Sequence, residues 1–189
     1  MRANRFVLAW LLPVLMAADA ACLFPSFAQA SVVEPEAIQV LRRATDYLAG
    51  LKQLRAEVDM TIEFVLGGQK LQYGHRTSVA MQRPNKFRAA RVGELVNHVI
   101  YYDGKSLTVD LPDQKYYASV AAPPTIEEAL DFAREKLDLI APAADLLYMN
   151  AFERLTEGLT SAFVVGPAYA AGVACDHLAF QNEEVDWQI

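Results

Sequence analysis

From Leu54 the sequence takes up a period of two. Ala56, Val58, Met60, Ile62, Phe64 and Leu66 alternate with Glu57, Asp59, Thr61 and Glu63. After Gly67-Gly68 the alternation resumes through Leu71, Tyr73, His75, Thr77, Val79 and Met81. Side chains on a strand point to opposite faces in turn, so this pattern predicts two strands that each have one buried face. The glycine pair is a hairpin signal. Strands of about a dozen residues exceed the usual five or six, a length that suits a strongly curved sheet.

The flanking segments extend this plan. Pro35 follows the S-x-x-E spacing of Ser31 and Glu34, and Ile38, Leu41, Leu48 and Leu51 then recur with helical period, predicting an opening amphipathic helix. Pro84-Asn85 turns the chain into strands near Phe87–Val92, Val96–Tyr102, Leu107–Leu111 and Lys115–Val120, separated by Asp103-Gly104 and Pro112-Asp113. This is an antiparallel meander. Pro123-Pro124 ends it, and Thr125-Ile126-Glu127-Glu128 forms a capping box for a helix with Leu130, Ala133, Leu137 and Ile140 on one face. Pro142 breaks that helix, and a second is predicted from about Ala143 to Glu157, stopped by Gly158. Strand character returns at Thr160–Val165 and Val173–Gln181. The closing Val185-Asp186-Trp187-Gln188-Ile189 alternates again, leaving an apolar strand edge that implies further C-terminal strands missing from this chain. The fold class is therefore α+β, a curved antiparallel sheet with helices covering its concave face.

The first thirty residues read as an address. Arg2 and Arg5 precede an apolar run, Phe6–Ala18, broken only by Pro13, and Ala28-Gln29-Ala30 has the small-x-small form of a cleavage site. The run is shorter than the roughly 20 residues a membrane helix needs. Residues 1–30 are thus expected to be a signal peptide and 31–189 a single exported domain in the periplasm, with lipid attachment at Cys22 as a minor alternative. Composition supports a folded domain: 53% of the 189 residues are hydrophobic and 21% charged. A formal net charge of −6 without a basic cluster argues against nucleic acid as a partner.

Chemistry is sparsely marked. The chain has no G-x-S-x-G, P-loop, H-E-x-x-H, paired C-x-x-C or G-x-G-x-x-G. No catalytic residue, metal site or cofactor is predicted, and the expectation is a non-enzymatic protein. His75, His98 and His177 fall on predicted strands without a short ligand spacing. Glu57/Asp59 and Glu127/Glu128 read as a solvated strand face and helix N-terminal charges. Cys175 lacks a second cysteine in the exported chain and is expected to be a small buried side chain.

Two stretches carry a family resemblance. Gln82-Arg83-Pro84-Asn85-Lys86-Phe87-Arg88, followed by Asn97–Tyr102 and Asp103-Gly104-Lys105-Ser106-Leu107, resembles the LolA/LolB lipoprotein-carrier superfamily over about Ile38–Tyr117. A second resemblance spans most of the exported chain. Ala144-Asp145-Leu146-Leu147-Tyr148, Cys175-Asp176-His177-Leu178-Ala179-Phe180 and Asp186-Trp187-Gln188-Ile189 are similar to the periplasmic family called domain of unknown function 2092. The first resemblance implies a LolA-like half-barrel that holds acyl chains between sheet and helices, with Met60, Ile62, Phe64, Tyr73 and Met81 as lining residues. It also implies that Arg83 fastens the covering helices and releases them when cargo enters. The sequence leaves open whether those apolar side chains line a cavity or fill a core. Binding of a hydrophobic small molecule, lipid or lipoprotein is the first expectation; an envelope sensor or scaffold that binds a protein partner with the same fold is the second.

Overall fold

The structure, a computed structural model, describes residues 32–189 except 96, 140 and 142. Within it, helix α1 spans Pro35–Gly50 and is followed by six antiparallel strands in chain order: β1 (Gln53–Leu66), β2 (Gln69–Gln82), β3 (Lys86–Gly93), β4 (His98–Tyr102), β5 (Ser106–Leu111) and β6 (Tyr116–Ala121). Helix α2 (Ile126–Leu137), a 3-10 turn (Ala144–Leu147) and the short helix α3 (Ala151–Thr156) come next. Strands β7 (Ser161–Ala170), β8 (Val173–Gln181) and β9 (Asp186–Gln188) form a second antiparallel sheet. The fold is α+β with open antiparallel sheets. The C-terminal strands make a separate sheet of three and do not rejoin the first.

Register explains how the core is laid out. Leu54, Met81, Phe87, Tyr102, Leu107 and Val120 stand in one row across the six strands. Met81, Phe87, Tyr102 and Leu107 of this row are buried, packed with Ile126, Ala129, Leu130 and Ala133 of α2 and with Tyr148. Bulky side chains here fill the space between sheet and helix. The second sheet has its own core, in which Ala37 and Leu41 of α1 meet Ala162, Leu178 and Phe180, and Trp187 stacks on Phe180 at 4.0 Å.

Local chemistry fixes the joints. Thr125 caps α2: its hydroxyl oxygen accepts from the Glu128 N–H and its O–H donates to the Glu128 carboxylate. The Pro84 carbonyl accepts from the Ile126 N–H, tying the start of α2 to the β2–β3 turn. Asp103 Oδ1 accepts from the backbone N–H groups of Lys105 and Ser106. At Gly104, with φ +90°, a Cβ would lie 2.5 Å from Asn85 Nδ2. The Pro-Asn turn and the Asp-Gly turn therefore pack on each other, which requires glycine at that contact.

Three expectations are corrected. The helix expected over 143–157 is broken into the 3-10 turn and α3, because Tyr148 adopts an extended backbone and buries its ring, 1% exposed, in the first core. Cys175 is exposed: the helices cover the end of β8 that carries Leu178 and Phe180, while its N-terminal half extends past them. Glu127 is not simply a solvated helix charge, since it is ion-paired with Arg83. At α1 the box expected at Ser31 begins outside the described residues, and Glu34 instead accepts from the Val164 N–H through its carboxylate. The expected signal peptide and Cys22 also lie outside the described residues.

Candidate functional site

One row above the filled core the side chains become small. Ala56, Val79, Ala89, Ile100 and Val109 face the helices there, and Ala133, Ala141 and Ala144 face them from the other side. These residues cannot close the gap that Phe87 and Tyr102 close one row lower, and a cavity of about 170 Å³ remains. Leu130, Leu139, Leu146 and Leu147 roof it. An engineered apolar cavity of about 150 Å³ stays dry and takes up benzene, so this space suits a small apolar group.

Arg83 is hydrogen-bonded to the roof. Its Nη1 donates to Glu127 Oε1 at 2.9 Å and its Nη2 to the Leu147 carbonyl at 2.8 Å. One guanidinium thus joins the β2–β3 turn to the start of α2 and to the 3-10 turn. The side chain is 12% exposed and its Nε has no partner among the described residues. Outside the roof a second network braces the same segments. Tyr148 donates to Asp131 at 2.8 Å, Arg154 stacks 3.9 Å over the Tyr148 ring, and Arg134 and Arg154 both reach Asp145. Burial, reinforced by the hydrogen bond to Asp131, pushes the Tyr148 phenol above its ordinary pKa, so the hydroxyl remains a donor.

The next row of the same face is polar. Val58, Thr77, Arg91 and His98 are aligned across four strands, and His75 stands one step along, opposite Gly93. Arg91 and His98 line the cavity. Arg91 is 8% exposed and His75 7%; among the described residues neither imidazole nitrogen of His75, nor Arg91 Nε, has a hydrogen-bond partner. Arg134, also at the cavity wall, is neutralised by Asp145 at 2.9 Å. Among the described residues no carboxylate forms a salt bridge with Arg91. An unpaired buried charge costs several kcal/mol. Burial, and then the Arg91 charge, push both His75 and His98 below the ordinary histidine pKa.

These two histidines predict a pH dependence of stability. Their folded-state pKa values lie below the unfolded value near 6.5, so below that pH the unfolded chain takes up protons that the folded chain refuses. Stability should be full above about pH 6.5 and fall as pH drops toward the folded-state values. Urea midpoints at about pH 7.5 and 5.5 should differ in that direction, and a His75→Gln/His98→Gln variant should show a smaller difference. The Asp59 and Asp103 carboxyls, held low by Arg76 and by the Ser106 N–H, titrate well below this window.

The candidate residues named from sequence are dispersed. Met60 lines the cavity. Met81 is buried in the filled row beneath it, and Ile62 is half-buried beyond it. Phe64 is 50% exposed near the hairpin tip, its ring 6.0 Å from that of Tyr73. Arg83 lies at the roof. His177 belongs to the second sheet, paired with Gln188, so the three histidines do not converge. Sequence reasoning missed Arg91 and the small-residue row. The available signal was parity: Ala89 and Arg91 alternate in phase with the buried Phe87.

A family model described as "Predicted periplasmic protein (DUF2092)" matches residues 37–189. No curated protein matches the chain. Among the described residues no helix is long and apolar enough to cross a membrane.

Proposed function

The chain belongs to this family of periplasmic proteins, and we propose that it binds a hydrophobic ligand, a lipid or acyl chain, without catalysis, in a LolA-like half-barrel. The observation that carries this reading is the apolar cavity of about 170 Å³ beneath a roof latched by one arginine. Each methylene removed from water contributes about 0.8 kcal/mol. Six carbons in this cavity therefore contribute about 5 kcal/mol, close to the lower range of the cost of association. A longer chain or a three-ring probe exceeds the cavity as it stands and fits only as the roof lifts. Releasing the Arg83 contacts would let α2 and the 3-10 turn lift from the sheet, coupling opening to ligand entry.

The test uses a small neutral apolar fluorophore, 1-aminoanthracene, and the full exported chain. It should bind saturably and be displaced by decan-1-ol. Ala133→Phe, which places a ring in the cavity, should weaken this binding by about tenfold or more. Well-folded protein that does not bind the fluorophore, or an Ala133→Phe variant that binds it equally well, would overturn the reading. In that case the second one gains weight: a scaffold or sensor contacting an envelope protein. Exposed Tyr169, Val173, Val65 and Leu66 at hairpin ends favour it.

A further inference from the structure

We propose that the cavity selects a ligand carrying one carboxylate, which docks on Arg91 between His75 and His98 while its hydrocarbon chain occupies the apolar space toward Ala89 and Ala133. This rests on the apolar-cavity reading above and adds a head group to it. Three observations converge. Arg91 is more than nine-tenths buried, borders the cavity, and has no carboxylate partner among the described residues. Its Nε and both ring nitrogens of His75 lack hydrogen-bond partners among the described residues. His98, the direct cross-strand neighbour of Arg91, borders the same space.

Buried polar groups are normally satisfied, and a buried cation is normally paired. Here the unsatisfied Arg91 borders an apolar cavity, with the unsatisfied His75 one row along, which is the layout of an amphiphile in negative. A metal ion does not suit the place, because the fixed guanidinium repels a cation. A single negative charge does: the planar fork of Arg91 matches a carboxylate, and a neutral imidazole still offers one N–H. A dianionic phosphate would bring a second charge with no fixed positive group to balance it, since Arg134 is already taken by Asp145.

The comparison is decanoate against decan-1-ol, equal in chain and different in head, each displacing 1-aminoanthracene at about pH 7.5. Wild-type protein should prefer decanoate by about tenfold or more, the worth of one charge-assisted hydrogen bond. Arg91→Met, of similar length, should bring the two within about twofold, and Arg91→Lys should retain part of the preference. Decanoate should raise the thermal midpoint of the wild type more than that of Arg91→Met, which keeps only the contribution of the hydrocarbon chain. Equal displacement by acid and alcohol would overturn the head-group assignment and leave the apolar cavity standing. Displacement by neither would overturn both. Tighter binding of decyl phosphate than of decanoate would overturn the single-charge argument, and saturable stabilisation by acetate alone would mean a free-anion site and overturn the amphiphile.

Discussion

Replacing Gly93 by alanine is expected to lower the stability of this domain by about 3 kcal/mol, toward the upper end of overpacking costs. A Cβ built at Gly93 falls 2.4 Å from His75 Cβ, 2.8 Å from the Gly74 carbonyl oxygen and 3.0 Å from His75 Cα. Two of these neighbours are backbone, and no side-chain rotation relieves them. His75 and Gly93 are direct cross-strand partners at the end of the β2–β3 ladder, where the Gly93 N–H leaves the sheet and donates to Asn97 Oδ1 at 3.0 Å. The added methyl must push β3 away from β2 or turn His75 out of its place beside Arg91. For a domain of this size the loss should appear as a fall in thermal midpoint of about 10 °C. Gly74→Ala is the control. Its nearest neighbour is Glu94 Oε1 at 3.7 Å, an ordinary contact, so the variant should stay within about 1 kcal/mol of the wild type. Equal midpoints for the two variants would mean that the β2–β3 contact is loose in solution.

Where one physical effect dominates a segment, the sequence is transparent. The β1–β2 hairpin follows from alternation and a Gly-Gly turn, and its register pairs Ala56 with Val79 and Ile62 with Tyr73. Thr125 and Glu128 meet as their spacing predicts. Segments decided by tertiary partners are opaque. Residues 143–157 have helical composition, yet the Tyr148 ring finds the first core, Asp131 and the Arg154 guanidinium, and the backbone extends to deliver it. Cys175 has the character of a core residue on a strand whose first half no helix covers. The cavity was hidden for a related reason. Alternation says which face of β1 and β2 is apolar, but only the rows across all six strands distinguish Leu54-Met81-Phe87-Tyr102-Leu107, which fills, from Ala56-Val79-Ala89-Ile100, which leaves room. Phe64 and Tyr73 have the right parity and lie too far along the hairpin for the roof to reach. Thus parity selects the face, and the length of the covering helix selects the site.

The latch is open to the most direct test. Arg83→Leu removes two hydrogen bonds from a charged donor, to Glu127 and to the Leu147 carbonyl, each of which is worth about 1.5 to 3 kcal/mol in a protected setting. Part of this is recovered, since Glu127 is 26% exposed and can rehydrate, and the leucine adds apolar surface. The expected net loss is about 2 kcal/mol, confined to the roof. Amide hydrogen exchange should therefore quicken by about thirtyfold over 143–148 and at the start of α2, while amides of β7 and β8 in the second core keep their protection. Arg83→Lys should fall between, because one ammonium does not reproduce a fork that spans two acceptors. The coupling to ligand has a definite sign. A roof that opens more easily should take up and release the fluorophore faster, with both rates raised and the equilibrium constant changed less. Exchange over 143–148 that is unchanged in Arg83→Leu would mean that Leu130, Ala133 and Tyr148 hold the roof by packing alone, and the arginine would then be a surface joint rather than a latch.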